Sequence, residues 1–480
     1  MSAIEKALAI ASVVAFAYFT ILNATYLVFT AIAWRDVTRY RRARSYAAVE
    51  EVFASPLTPP ISVVVPACNE EAGIVESVRS LLSLRYPEFE VIVVNDGSTD
   101  KTLAKLAEAF ELLPVRKALR GTLATARVRA AYASRRHHNL WVVDKENGGG
   151  KADAINAGIN ASRYPYFCVL DADAMLEEDA LLRVAKPMLD DPDLVAATGG
   201  IIRIVNGSRV DHGRVLEVGL PKSWLATVQV VEYFRAFLVG RIGWSRMRSL
   251  LIISGAFGLF RRNLVETAGG FSTATVAEDL ELVVRLHRHL RERGEEYRIA
   301  FIPDPVAWTE APEDLRSLRG QRTRWQRGLG QALWVHRRMA ANPRYGAVGT
   351  VAFPYFVVFE LFGPLVELLG YAVVVASAAL GALSLAFLAA FFAAAVLVGF
   401  FLSLSALALE EFSFRRYVRG REVGRLLVAA IIENVGYRQL LALWRTRALL
   451  DLARGGRGWG EMQRRGLGYA PAAGEPSGGR

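Results

Sequence analysis

Cysteine and histidine are scarce in this chain. Of 480 residues only two are cysteine, Cys68 and Cys168, and six are histidine. Two isolated cysteines make neither a disulfide framework nor a thiolate zinc site, and the histidines fall into no metal-binding spacing. Each cysteine sits in an apolar run, so both read as small hydrophobes buried in strands, in a reducing compartment. Two phosphate-binding signatures are also missing. There is no GxxxxGK[ST], which excludes a Walker A loop, and no GxGxxG after the first strand-like run, which argues against a dinucleotide domain. No internal repeat is visible.

What is plentiful is apolar or positive. Hydrophobic residues make up 52% of the chain, the mean hydropathy is +0.24 and the formal net charge is +11. Such apolarity is high for a soluble protein and points to bilayer segments. Beside spans, the basic excess is most simply explained by positive loops on the cytoplasmic side. No nucleic-acid module is recognisable, so nucleic acid is not expected as a partner.

Four regions follow along the chain. Residues 1–50 hold an apolar run, Ala7 to Trp34, followed by Arg35, Arg39, Arg41, Arg42 and Arg44. The run is long enough for a span of ~20 residues and exceeds the ~7–15 of a signal-peptide core. The arginines put its C-terminal side in the cytoplasm and its N-terminus outside. Residues 56–338 are soluble in character. Strand-like runs at Ile61–Pro66, Val91–Val94, Leu140–Val143 and Phe167–Leu170 alternate with helix-like stretches at Val75–Leu84, Asp100–Phe110, Ala152–Ala161 and Glu177–Leu189. This alternation implies an α/β fold, a mostly parallel sheet covered on both faces, with ligands beyond the carboxyl ends of its strands. Within it, Pro114 to His138 carries Arg116, Lys117, Arg120, Arg127, Arg129, Arg135 and Arg136. That insert reads as a solvated loop, with anionic lipid binding or a donor-site cover as alternatives. Residues 345–450 return to lipid character, with apolar runs at Val348–Leu380 and Leu383–Leu407. A basic loop then holds Arg415, Arg416, Arg419, Arg421 and Arg425. The last run, Leu426–Trp444, carries Glu433, Asn434, Arg438 and Gln439, and either spans or lies in the interface. Two or three helices are expected here. Residues 451–480, rich in Arg and Gly, read as a partly disordered tail.

Chemistry is concentrated where strands end. ISVVVPACNEE ends at Asn69, Glu70 and Glu71, EVIVVNDGSTD at Asp96 and Asp100, and FCVLDADA at Asp171 and Asp173. One such aspartate is commonly a turn or cap residue. Together they crowd one sheet edge with like charge, which is costly unless a cation or ligand compensates. Asp171 and Asp173, one residue apart, suit Mg²⁺ or Mn²⁺ held against a diphosphate. KENGGGKADAINAG places glycines ahead of a helix, where exposed N–H groups suit a phosphate and Lys151 adds a point charge. Glu278 and Asp279 open a later helix. Either is a fitting cap, and Asp279 could equally take a proton from an attacking hydroxyl. In QRTRW, Arg322 and Arg324 can pair with phosphate oxygens and Trp325 offers a face on which sugars stack, although the same residues suit a membrane-interface belt.

In order, ACNEE, NDGSTD, NGGGKADAINAG, LDADA, SGAFGLF, AEDLEL and QRTRW resemble the membrane-bound family-2 glycosyltransferases over about residues 58–335. That group includes cellulose synthase, hyaluronan synthase and the poly-β-1,6-N-acetylglucosamine synthases. The last are nearest through SGAFGLFRR, PDPVAWTEAPEDL and QRTRWQRGL. The resemblance implies a GT-A catalytic domain and an inverting, metal-dependent transfer from a UDP-sugar to a growing glycan. Adding one sugar to a membrane lipid is the alternative. By the same resemblance Asp96 would bind uridine, and Glu70, Lys151, Asp171, Gln321 and Arg324 would hold the donor. Asp171 and Asp173 would carry the metal, Asp279 would be the base, and Glu278 and Trp325 would meet the acceptor. Ala277 departs from the Thr or Gly that the family places before its acidic pair. The resemblance also implies a multi-pass protein of the inner (plasma) membrane with its catalytic domain in the cytoplasm. Product would be threaded outward past Trp325, with a secretion partner or a second copy completing the passage.

Overall fold

In the computed structural model, residues 3–43, 58–211, 213–381, 385–414, 417 and 420–454 are described. Arg44, Arg415, Arg416, Arg419 and most of the 451–480 tail lie outside them. The strands are β1 (Ile61–Ala67), β2 (Phe89–Asp96), β3 (Leu112–Val115), β4 (Val128–Ser134), β5 (Leu140–Lys145), β6 (Tyr166–Leu170), β7 (Met175–Leu176), β8 (Val195–Ile204), β9 (Arg209–Asp211), β10 (Arg214–Glu217), β11 (Phe257–Arg261) and β12 (Arg298–Thr309). Ten of them form one sheet in the order β3-β4-β5-β2-β1-β6-β11-β8-β12-β7. β1, β2, β3, β5, β6, β8 and β12 run one way, and β4, β7 and β11 the other. The sheet is therefore a mostly parallel α/β sheet.

The centre of the sheet follows from side-chain branching. Val63, Val64 and Val65 of β1 and Val91, Ile92, Val93 and Val94 of β2 are all buried. Unbroken β-branched runs of this kind suit a strand covered on both faces. The chain leaves β1 toward β2 and β5, then crosses back to β6 on the other side of β1. A crevice opens where connections diverge in this way, here beyond the ends of β1 and β6. Helices Ile74–Leu82, Thr102–Phe110, Lys151–Ala161 and Ala180–Asp190 coincide with the helix-like stretches of the sequence to within a few residues.

Two expectations change. The basic insert is not all loop, because β4 lies inside it and pairs with β5. Its Lys117 is 10% exposed, 3.7 Å above the Trp141 ring and 4.0 Å from Glu90. Alternating Val128-Arg-Ala-Ala-Tyr is weakly apolar, so only pairing with β5 reveals it. Cys168 is buried in β6, but Cys68 is exposed, since β1 ends at Ala67. The FGLF part of SGAFGLF forms β11. It runs antiparallel between β6 and β8, so its leading residues Ser254 and Gly255 arrive at the edge where β6 ends.

Among the described residues, two helices, Ile10–Arg42 and Gly420–Ala453, are long and apolar enough to cross a membrane. The pair Val348–Leu361 and Gly363–Ala379, bent by 49°, would make a third if it counts as one span. The Gly420–Ala453 helix is kinked at Val435 and Gly436, where Gly436 takes φ 103°. That is a left-handed conformation with little cost for glycine. The polar residues on which its reading turned face protein. Glu433 meets Arg235 at 2.8 Å, and Arg438 meets Glu367 at 3.1 Å. Charges in apolar helices are tolerated when paired inward. Together with Glu232 and Glu360 these residues line a cavity of about 870 Å³, counting its open mouth.

The helix Leu315–Val335 joins the sheet to these helices. Gly328 is its contact point: a Cβ there would lie 2.4 Å from the Ala277 Cβ, at the entrance of the Glu278–Glu292 helix. Ala277 is thus matched to a glycine opposite. Gly328→Ala is expected to push that helix start aside and lower turnover by up to ~10²-fold, the cost of an ångström-scale misplacement. Steady-state kinetics beside a melting curve would check it. An unchanged rate would mean that the contact relaxes without moving Asp279.

Candidate active site

The loops after β1 and β2 are zipped together. Asn69 takes φ 58°, and its Oδ1 accepts from the Thr99 N–H at 2.8 Å. The Glu70 N–H donates to Thr102 Oγ1 at 2.9 Å, and the Glu71 N–H to Asp100 Oδ2 at 3.1 Å. Asp100 also accepts from the amide and hydroxyl of Thr102. Partial burial works the other way, but these hydrogen bonds hold its carboxyl below the usual range. Asp100 and Glu71 therefore shape the loop, and half-buried Glu70 is positioned by it.

Asp96, at the end of β2, is buried. Its partner is Lys145, the last residue of β5, whose ammonium is fully buried. It lies 2.5 Å from Asp96 Oδ1 and 2.6 Å from Asp153 Oδ2. Asp96 Oδ1 also accepts from the Gly148 N–H at 3.3 Å, and the Asn147 amide donates to the Asp96 carbonyl at 3.1 Å. Gly97 (φ 63°) packs so closely on Asn147 that a Cβ would lie 2.8 Å from its backbone nitrogen. The sequence reading missed Lys145. Its signal was a lone cation closing the apolar strand LWVVDK, next to the carboxylate-bearing ends of its neighbours.

Asp153 lies in the first turn of the Lys151–Ala161 helix, and Lys151 carries the site onward. Its ammonium pairs with Asp171 just past β6, stands 3.7 Å from Glu278 and donates to the Gly255 carbonyl at 2.9 Å. Burial opposes the charge, but Asp171, Glu278 and Asp279 together hold the ammonium above the ordinary lysine value. Glu278 goes up as well, first through burial and then through Asp279, with Lys151 pulling the other way. Asp279 Oδ2 accepts from the Gly255 N–H and Oδ1 from its neighbour Leu280, both at 2.8 Å. Asp173 is half-buried in the turn that follows β6. Lys151, Asp171, Glu278 and Asp279 thus meet at one sheet edge.

QRTRW lies on the Leu315–Val335 helix. Gln321 is buried, Arg324 is half-buried and Trp325 is 42% exposed. Arg322, read from the sequence as able to take phosphate, is instead bidentate to Glu232 at 2.7 and 2.8 Å, with its guanidinium 4.5 Å from the Trp325 ring centroid. A buried arginine held in a bidentate pair by a carboxylate is committed to structure.

Residues 62–268 match the family model described as Glycosyl transferase family 2, and residues 166–404 match Glycosyl transferase family group 2. A poly-β-1,6-N-acetyl-D-glucosamine synthase of Staphylococcus epidermidis is 30% identical over 275 residues, 57% of this chain and 55% of that protein. The synthase of the same name from Staphylococcus aureus strain COL is 30% identical over 303 residues, 62% and 60%. The chain therefore spans little more than half the length of these curated relatives. Among solved structures, the mannosyltransferase PcManGT from Pyrobaculum calidifontis, in complex with GDP-Man and Mn²⁺, is 21% identical. It covers 87% of this chain and 99% of its own, at a TM-score of 0.49.

Proposed function

Because the chain belongs to the family-2 glycosyltransferases, we propose that it moves a sugar, with inversion, from a UDP-sugar onto a growing polysaccharide at the cytoplasmic face of the inner (plasma) membrane. One observation carries the reading: a lysine ammonium shared by Asp171 and Glu278 stands beside an Asp279 carboxylate pinned by two backbone N–H groups. A cation for a leaving phosphate and a base for an incoming hydroxyl are what this transfer needs.

Asp96, held by Lys145, and the Glu70 loop would bind the nucleotide. The acceptor hydroxyl oxygen attacks the anomeric carbon, the bond from that carbon to the diphosphate breaks, and UDP leaves with the electron pair. Asp279 takes the hydroxyl proton. Lys151 meets the charge that develops on the departing phosphate, with Arg324 and Gln321 closing on it. Glu278 and Trp325 would meet the acceptor.

Asp171 and Asp173 would hold Mg²⁺ or Mn²⁺. The position tolerates positive charge, since Asp171 already lies on the Lys151 ammonium. Among the described residues no three His, Cys, Asp or Glu side chains gather as a ligand set. The pair fits a hard cation that takes its remaining ligands from phosphate oxygens and water. When bound it would neutralise charge on the diphosphate.

The test is turnover of purified protein in lipid vesicles with Mn²⁺ and a panel of radiolabelled UDP-sugars, the products being sized by gel and by organic extraction. A ladder of long products from one donor, abolished by EDTA and restored by Mn²⁺ or Mg²⁺, is expected. A single organic-soluble product would replace polymer synthesis with lipid glycosylation. Absence of product from every donor would overturn the reading.

A further inference from the structure

Exposed apolar side chains and unpaired arginines meet where the Leu315–Val335 helix ends. Trp334 is 70% exposed and Val335 50%. The 3₁₀ turn Arg337–Met339 follows. The Arg337 guanidinium lies 4.8 Å from the Trp334 ring centroid and donates to the Trp334 carbonyl at 3.1 Å. Arg338 and Arg344 are exposed as well. Asn342 ties their backbones together, donating to the Arg338 carbonyl at 3.3 Å and accepting from the Arg344 N–H at 3.0 Å. Among the described residues none of these three arginines meets a carboxylate. Arg285, Arg288 and Arg322 nearby all do.

A bilayer surface is the partner that this combination fits. Shortly after Arg344 the chain enters the bent apolar pair Val348–Leu361 and Gly363–Ala379. Apolar side chains stay exposed along it, at Val351 and Val358. Tryptophan gathers at membrane–water boundaries, and arginines there draw anionic headgroups. A guanidinium carried on an indole face keeps most of its N–H fork for phosphate oxygens. An acidic protein partner would not call for a surface that runs on into an apolar helix.

The same stretch of chain clamps the helix of the proposed base. Gln331 Oε1 accepts from the Val276 N–H at 3.0 Å, and Gly328 packs on Ala277. His336 is buried, with Nε2 2.9 Å from Glu281 Oε1 and Nδ1 3.3 Å from Arg288 Nη1. The Tyr345 hydroxyl donates to Glu292 at 2.9 Å. These contacts run along the Glu278–Glu292 helix, whose first turn carries Asp279. We propose that Trp334, Arg337, Arg338 and Arg344 seat anionic lipid headgroups, and that an occupied seat steadies the clamp that sets Asp279. The proposal rests on the membrane placement and the glycosyltransferase reading above.

The experiment uses the full chain in phosphatidylcholine vesicles, with phosphatidylglycerol added in steps. It reads the initial rate of sugar transfer at saturating UDP-sugar, and amide hydrogen exchange over residues 276–281, which needs no turnover. Phosphatidylglycerol should raise the rate about fivefold, the gain of one basic side chain at an anionic surface, and slow the exchange by a similar factor. The response should vanish at ~1 M salt, where charges are screened beyond about 3 Å. Arg337→Gln with Arg338→Gln should lose the response and keep the wild-type rate and melting temperature in neutral vesicles. Arg337→Lys with Arg338→Lys should keep most of it. Equal rates and equal exchange in the two lipids would overturn the proposal. So would a response that survives in the glutamine variant, which puts the seat elsewhere, or one that inorganic phosphate reproduces in neutral vesicles, which makes the ligand a free anion. A glutamine variant that is slower and melts lower in neutral vesicles would overturn it too, by making the arginines structural. Exchange that responds to lipid without turnover of any UDP-sugar would keep the seat and sink only the glycosyltransferase reading.

Discussion

Asp279→Asn should bind UDP as the wild type does and lose ~10²–10⁴-fold in sugar transfer, the usual range for a general base. Asparagine keeps the size of the side chain and one acceptor oxygen. That oxygen can still take the Gly255 N–H that now reaches Oδ2. Its amide would face the Leu280 N–H, so one hydrogen bond is lost, a cost of about 1 kcal/mol. The fold survives such a loss, but proton acceptance does not. UDP affinity by titration calorimetry, a melting curve and initial rates separate the three quantities. Wild-type turnover would remove Asp279 from the role of base. A collapse of UDP binding along with turnover would make it part of the donor cradle, through Gly255 and Lys151.

The second large effect is on stability. Lys145→Met leaves Asp96 and Asp153, both buried, without the cation that both now share. Removing one member of a buried charge cluster typically costs ~3–5 kcal/mol, because the remaining charges are stranded in a poor solvent for ions. Chemical denaturation in detergent should show a loss of that order. UDP affinity should fall too, since Asp96 loses its anchor. Adding Asp153→Asn removes one stranded carboxylate and should recover part of the stability without recovering the affinity. An unchanged midpoint in Lys145→Met would mean that the carboxylates are protonated or hydrated once the lysine is gone, and that Lys145 is no clamp.

Much of the site could be read along the chain. Asp96, Asp171, Asp173, Glu278 and Asp279 stand out because a carboxylate ending an apolar strand or opening a helix interrupts a local pattern. The strands themselves were legible for the same reason: ISVVVP and EVIVV bury both faces, so their composition alone marks them. β4 was not, since a strand half open to solvent carries Arg and Tyr among its alanines and gains its strand character from pairing with β3 and β5. Arg322 misled for a related reason. Its type and spacing suited phosphate, but its partner Glu232 lies ninety residues away in sequence.

The sequence by itself determined β1, β2, β5 and β6, the carboxylates at strand ends and the apolar runs on either side, because each depends on residues within one turn or one strand of one another. Only tertiary structure decided which cations those carboxylates meet. Lys145 reaches Asp96 across a parallel pair, and Lys151 reaches Asp171 across the crevice. Coulomb energy in a buried site depends on distances of a few ångströms between residues far apart in sequence, and those distances are set by how strands and helices pack.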